Sequence, residues 1–341
     1  MASTIRELTH LQIPLEEVLK ATNNFDDSNI IGAGDFGKVY KGRLFRCGNL
    51  VKIAAHRLHR KDQQGVTEFW REISMLSILN HENIVSIIGF CDEQNEKIII
   101  NQHCEKGSLL MHINKERLTW IQRYRLCVGV ARAIHYMHDD DKRGYSIIHR
   151  NINSSTILLD NNYVPRLSGF EYSVKHVVDR KEQVFHSDAI GTTGYMDPEI
   201  TKNGGVTLKS DIYSFGIVLW EVLCGRKAFI PNEDEDQRFL SSLARSHYEN
   251  YTLKDIIHPD LWNHMSQKSL TSFSKAAYSC IKNERVHRPD INHIVHEIEE
   301  ALEFQVSFDN LVGLFDLFLL FVYYFCSIHH SNLSDVPYNF V

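Results

Sequence analysis

The sequence predicts an α+β protein of two lobes, a small β-rich lobe followed by a larger helical one. Three observations lead there. From 25 to about 104, short runs rich in β-branched and apolar residues ("IIGAG", "KVYKG", "SIIGFC", "KIIINQH") surround a single helical stretch. From about 105 to 303, helical periodicity dominates. The chain has 341 residues, enough for two lobes that each bury a core.

Taken in order, residues 1–24 are polar and mixed, with Pro14 and "ATNN", and are expected to form an N-terminal extension. The β-rich lobe is expected over 25–104. Its helix, near 66–79, carries Phe69, Ile73 and Leu76 at i, i+4 and i+7, which makes one buried face. The helical lobe is expected over 105–303. "LTWIQRYRLCVGVARAIHYMH" reads as a long amphipathic helix with Thr119 as N-cap. "DIYSFGIVLWEVL" (211–223) is apolar almost all round, so it should run through the middle of a core. The tail, 304–341, has no Lys or Arg, and 311–328 is apolar except for Gly313, Asp316 and Ser327. That segment reaches the length of a membrane-spanning helix, about 18–20 residues, and a C-terminal membrane anchor is expected there.

Bulk composition narrows the function. Hydrophobic residues make up 43% and charged residues 23%, an ordinary globular mixture, and the net charge of −6 gives no attraction to nucleic acid. Seven cysteines occur without a C-x-x-C pair, as expected for reduced thiols. None of the 19 histidines falls in a metal-ligand spacing, so no metal site is expected. The N-terminus lacks the apolar stretch of a signal peptide, and Ala2 excludes N-myristoylation. The main body of the protein is therefore expected to be cytoplasmic.

The chemistry-bearing motifs begin with "IIGAGDFGKVYKG", where Gly32, Gly34 and Gly37 stand in G-x-G-x-x-G spacing. The setting is a β-hairpin, which disfavours a dinucleotide fold but lets backbone amides approach a ligand's phosphates. It is followed by "EFWREISML", "IIHRN", "GTTGYMDPEI", "SDIYSFGIVLWEVLCGR" and "NERVHRPD". In that order the set is highly specific. The chain resembles a eukaryotic protein kinase over roughly residues 25–303. "ATNNF" and "LNHENIVSIIGFCDE" resemble the plant receptor-like kinase group, including FERONIA-type and receptor-like cytoplasmic kinases.

The resemblance implies where the catalytic groups should stand, and most of them have changed. His56 occupies the place of the phosphate-pairing lysine, while its helix partner, Glu72, remains. Neutral imidazole is shorter than lysine and cannot supply the same phosphate clamp. The catalytic loop aligns with His149, Arg150 and Asn151, with Asn153 at the loop lysine and Thr156 at a metal-binding Asn. An amide has no basic site near neutral pH, so Asn151 forfeits a general-base term of about 10²–10⁴ in rate. Gly169 replaces the main Mg²⁺ ligand of the Asp-Phe-Gly motif, ahead of Phe170 and Glu171. Glu171 is not expected to substitute, because Phe170 should anchor inward and point its neighbours elsewhere.

What survives is also implied by the resemblance. Leu76, Ile87, His149 and Phe170 match the apolar column that joins the two lobes, with Asp211 as its anchor. Glu199 and Arg288 match the family's buried ion pair. Val39, Ala54 and Leu158 match the adenine walls, although plain core packing explains them about as well. Gln102 to Cys104 match the hinge, and Asn101 replaces a larger gatekeeper. The expected cofactor behaviour is weak ATP binding without retained Mg²⁺.

The leading expectation is a pseudokinase that binds other receptor-like kinases or signalling proteins through the Glu72 helix and the segment from Phe170 to Glu199. A weakly active Ser/Thr kinase and a degenerate gene product are the alternatives. The anchor would place the kinase-like domain at the plasma membrane.

Overall fold

The computed structural model describes residues 8–34, 37–46, 48–59, 62–114, 118–138, 143–177, 184–185 and 190–333; for 177, 201, 203, 260, 315–316, 318 and 320–333 it describes the backbone alone. The first lobe is an antiparallel sheet of β1 (Ile30–Gly34), β2 (Gly37–Arg46), β3 (Asn49–Leu58), β4 (Ile87–Cys91) and β5 (Ile98–Gln102), in the order β1-β2-β3-β5-β4. This register sets His56 opposite Val39 and Ala54 opposite Asn101.

Two helices cover the sheet. The expected one, labelled α2 (Gln63–Leu76), starts at Asp62, whose carboxylate accepts from the Gly65 amide at 2.8 Å. Its Phe69, Ile73 and Leu76 are buried, and Phe69 meets Phe90 of β4 edge to face at 6.2 Å. The other helix, α1 (Leu15–Thr22), lies in the segment read as an extension. The structure docks that segment onto the sheet. Ile13, Leu15 and Val18 are buried with Leu44, Ile53, Cys91, Ile98 and Ile100, and the Ile13 amide donates to the Phe90 carbonyl at 2.8 Å.

The second lobe is helical: α3 (Trp120–His138), α4 (Pro198–Asn203), α5 (Leu208–Cys224), α6 (Leu240–Glu249), α7 (Gln267–Cys280) and α8 (Ile291–Leu333). Thr119 and Gln122 cap α3 reciprocally, each side chain accepting from the other's amide, at 3.3 and 2.9 Å. The centre of the lobe is α5, with Phe215, Ile217, Leu219 and Trp220 inaccessible to solvent. Tyr124 of α3 and Phe273 of α7 meet at 4.9 Å in the same core. Short ladders at the lobe junction carry the loops of the site: β6 (Gly107–Ser108), β8 (Ile157–Leu159) and β9 (Pro165–Leu167) form one, and β7 (Tyr145–Ile148) with β10 (Val174–Val177) forms the other.

The lobe reaches past the expected boundary at 303. Gln305 is fully buried, its Oε1 accepting from the Ser266 amide at 3.0 Å and its Nε2 donating to the His264 carbonyl at 2.9 Å. Beyond it, Leu311, Leu314 and Leu317 are exposed. No helix is long and apolar enough to cross a membrane among the described residues. Most side chains of the expected span, 311–328, lie outside them.

Candidate nucleotide cleft

A cleft of about 730 Å³ opens between the lobes, within the range of small-molecule sites. Gly32, Val39, Ala54, Gln102, Cys104 and Leu158 line it. Gly34 and Gly37 are not on the wall. A β-carbon on Gly37 would stand 2.0 Å from the Arg57 carbonyl oxygen, so this glycine is required for strand packing against β3.

The lobe-joining column is assembled. The His149 and Phe170 rings meet at 4.6 Å, and Leu76, His149 and Phe170 are buried. Asp211 holds the column from below. Its two oxygens accept from the His149 and Arg150 amides at 2.8 and 2.9 Å, and His138 Nε2 lies 2.9 Å from Oδ2. Burial pushes the His149 imidazole down to about 4, so it packs as a neutral ring.

One inferred ion pair is corrected. Arg288 pairs with Asp197 at 2.8 Å, both side chains fully buried, and not with Glu199. Glu199 accepts instead from the Arg285 amide at 2.7 Å. Asp197 sits at the N-cap of α4 and also receives Arg285 Nε at 2.7 Å and Ser210 Oγ at 2.9 Å. An acid two residues before the expected position therefore gathers the charges.

The catalytic-loop positions form a closed polar knot. Asn151 Oδ1 accepts from Asn153 Nδ2 and from Thr192 Oγ1, both at 3.0 Å. Asn151 Nδ2 donates to Glu171 Oε1 at 3.2 Å. Asn153, buried, also takes the Ser155 and Thr156 amides on Oδ1 at 2.8 and 3.1 Å. Thr156 Oγ1 donates to the carbonyls of Asn151 and Asn153 at 3.0 Å. The side chains of Asn151, Asn153 and Thr156 are thus engaged with the loop itself and with Thr192 and Glu171.

Glu171 departs from expectation. Its buried carboxylate reaches Asn151 and lines the cleft instead of pointing elsewhere. Gly169 makes the room. It adopts φ +84°, and a β-carbon there would stand 2.8 Å from Thr156 Cγ2 and 3.6 Å from Glu171 Oε2.

The electrostatics of the inner cleft follow. Burial, and then the neighbouring Glu171, pushes the Glu72 carboxyl up to about 8. Burial raises Glu171 as well. Desolvation holds the His56 imidazole down at about 4. At the positions of a kinase's lysine–glutamate pair stand a neutral ring, His56, and a carboxyl that burial holds protonated, Glu72.

The sequence profile of the family described as protein tyrosine and serine/threonine kinase matches residues 26–298. The chain belongs to this kinase family. Its kinase domain is similar to the receptor-like protein kinase HERK 1 of Arabidopsis thaliana, 38% identical over 307 residues, or 89% of this chain and 36% of that protein. It is 38% identical to the receptor-like protein kinase ANXUR2 of the same plant over 298 residues, covering 86% of this chain and 34% of the relative. The chain spans about a third of the length of the curated relatives it matches.

A kinase domain works with ATP and Mg²⁺, which neutralise and align the phosphates. The adenine end of this cleft fits such a ligand. The phosphate and metal end does not: His56, Asn153 and Gly169 stand at the cationic and metal-binding positions, and Thr156 is turned into the loop. No group of three His, Cys, Asp or Glu side chains is arranged to hold a metal ion among the described residues.

Two parts of this site were invisible in the sequence. The Asn153–Thr192 contact, 3.3 Å, joins residues 39 positions apart. The inward turn of Glu171 depends on Gly169's backbone, and a glycine at that position was the one available signal.

Proposed function

We propose that this kinase domain is a pseudokinase, a protein-binding and allosteric module with a residual adenine pocket. The observation that carries the reading is the closed knot, in which the Asn151 amide is committed to Asn153, Thr192 and Glu171. Phosphoryl transfer depends on positioning and charge neutralisation, and those terms are missing here. The intact column and the Asp197–Arg288 pair support a stable, kinase-shaped surface. Its partners are other receptor-like kinases or signalling proteins, met through α2 and the segment from Phe170 to Glu199. Residues 178–183 and 186–189 of that segment lie outside the described ones. The domain works in the cytoplasm, held at the plasma membrane by the C-terminal segment, as the exposed Leu311, Leu314 and Leu317 suggest.

The test is phosphotransfer by the purified full chain with Mg²⁺ or Mn²⁺. No transfer is expected, and Asn151→Asp alone should not restore it. ATP should bind weakly, with a thermal shift that hardly changes when Mg²⁺ is added. Metal-dependent autophosphorylation abolished by an adenine-site blocker overturns the proposal. The second reading, weak Ser/Thr phosphotransfer, is favoured by one observation, the Glu171 carboxylate beside Asn151. In that case activity would be present and lost in Glu171→Gln.

A further inference from the structure

The hairpin that joins β2 to β3 carries a surface that neither the cleft nor the C-terminal segment uses. β1 pairs with β2 only as far as Tyr40, and β5 pairs with β3 only as far as Ile53. Beyond those positions residues 43–46 and 49–52 have only each other in the ladder, so the hairpin ends in a two-stranded ribbon. One face of it is covered: Leu44 and Ile53 are buried with Ile13, Leu15 and Val18 of the docked N-terminal segment. Strand alternation turns the other face outward, and it holds Lys41, Arg43 and Phe45 of β2 with Lys52 and Leu50 of β3.

Phe45 is 66% exposed and Leu50 59%, and the register sets them directly opposite each other at the tip. The next pair on that face is Arg43 opposite Lys52. Like charges directly across a ladder are destabilising, so the ribbon bears a cost that an anion lying over it would relieve. Most of that charge is uncommitted. Lys52 gives its Nζ to Glu105 Oε1 at 2.9 Å, and Arg46, of the opposite alternation, pairs with Glu17 at 3.3 Å. Lys41 and Arg43, both exposed, have no hydrogen-bond or ion-pair partner among the described residues.

We propose that the tip of the β2–β3 hairpin docks on an anionic lipid surface, with Phe45 and Leu50 entering the headgroup layer and Arg43 and Lys41 meeting the acidic headgroups. An apolar pair backed by unpaired cations matches the boundary between acidic headgroups and acyl chains, where either signal alone binds weakly and the two together add. Shape points the same way. Arg43, Phe45 and Leu50 stand outside the wall of the cleft, at the convex end of a ribbon, which suits a flat layer better than a peptide that seeks a groove. The chain as a whole carries −6, so attraction to an acidic layer is confined to such a patch and fixes which side of the lobe approaches. The contact is separate from the C-terminal anchor. Residues 304–341 hold no Lys or Arg, so at neutral pH that segment has no means of preferring acidic lipid.

The test sediments the full chain with vesicles of phosphatidylcholine alone and of phosphatidylcholine containing a quarter phosphatidylserine. A cation near an acidic surface is worth about fivefold in partitioning, so the acidic vesicles should bind the chain at least about fivefold better at low salt. That ratio should fall towards one in Lys41→Gln/Arg43→Gln and in high salt. Phe45→Ser/Leu50→Ser should weaken binding to the acidic vesicles and leave the remainder more sensitive to salt. All of these positions are exposed, and unchanged melting confirms that the variants fold. A second readout serves if the C-terminal segment holds the chain on both kinds of vesicle. In Leu50→Trp the added indole should be quenched by brominated lipid on the acidic vesicles, and the Lys41→Gln/Arg43→Gln changes should abolish that quenching. Equal quenching on both vesicles, or none on either, overturns the proposal. So does a peptide rich in Asp and Leu that binds the chain through Arg43 while the vesicles show no preference, which would mark a protein-docking surface. Release of the chain from membranes on truncation at Asn310 would bear on the anchor alone, whereas the dependence on acidic lipid decides this inference.

Discussion

Glu72→Gln should stabilise this protein, although the same change in an active kinase would strand a lysine and destabilise it. The Glu72 carboxyl moves from 4.5 to about 8 on folding, because burial and Glu171 both oppose its charge. A group raised in this way contributes its full stability below pH 4.5 and loses it as the pH climbs through 8. Each pKa unit is worth about 1.4 kcal/mol, so the penalty at pH 8 is bounded at about 4–5 kcal/mol. Glu171 shares the proton, and about half that figure, roughly 2 kcal/mol, is the expected gain for Gln at pH 8. For a domain of this size that corresponds to about 4–8 °C in Tm. At pH 5 wild type and variant should melt together. The assay is thermal and urea denaturation at both values. A loss of stability at pH 8 would show that a cation neutralises Glu72, and an equal gain at both pH values would show that the gain does not come from its titration.

Gly169→Asp, the change that would rebuild the metal motif, should cost about 1–3 kcal/mol in urea denaturation, because φ is +84° and Thr156 Cγ2 blocks the β-carbon. An unchanged midpoint would mean the loop has room for the acid. Asp197→Ala should cost about 3–5 kcal/mol by stranding buried Arg288, while Glu199→Gln should cost far less. The reverse ranking would reinstate Glu199 as the ion-pair partner. Cells expressing the full chain should retain it in carbonate-washed membranes, and a version ending at Asn310, which spares the buried Gln305, should be released. Release of both would remove the anchor.

Much of this was legible because it rests on local pattern. Phe69, Ile73 and Leu76 share a helix face, and the all-apolar stretch of α5 could only sit in a core. The loss of basic and metal-binding groups could be read residue by residue, since side-chain identity alone decides whether an imidazole or an amide can replace a lysine or an acid. Direction was not legible. Glu171 points inward because Gly169 takes a left-handed turn, and Arg288 chooses Asp197 because α4 sets that carboxylate against it. Ile13, Leu15 and Val18 were hidden by the charged residues between them, Glu16 and Glu17, although i, i+3 spacing on a short helix was present. Asn153 was read as a lost lysine and turned out to organise its own loop.

The docked N-terminal segment changes how any fragment of this protein must be judged. Gly42 and Gly89 leave space for it: a β-carbon at either would come within 2.5 Å of the Ala21 or Leu11 carbonyl oxygen. A fragment starting at residue 25, where the family's motifs begin, would lack Ile13, Leu15 and Val18 and bare the sheet face formed by Ile53, Ala55, Ile98 and Ile100. Such a face invites self-association. Poor solubility of that fragment would report a missing lid on the sheet, and would be easily mistaken for the collapse of a decayed gene product. The same segment carries the chain from residue 8 across the back of the first lobe, so whatever is joined ahead of it is mechanically coupled to the sheet that bears His56.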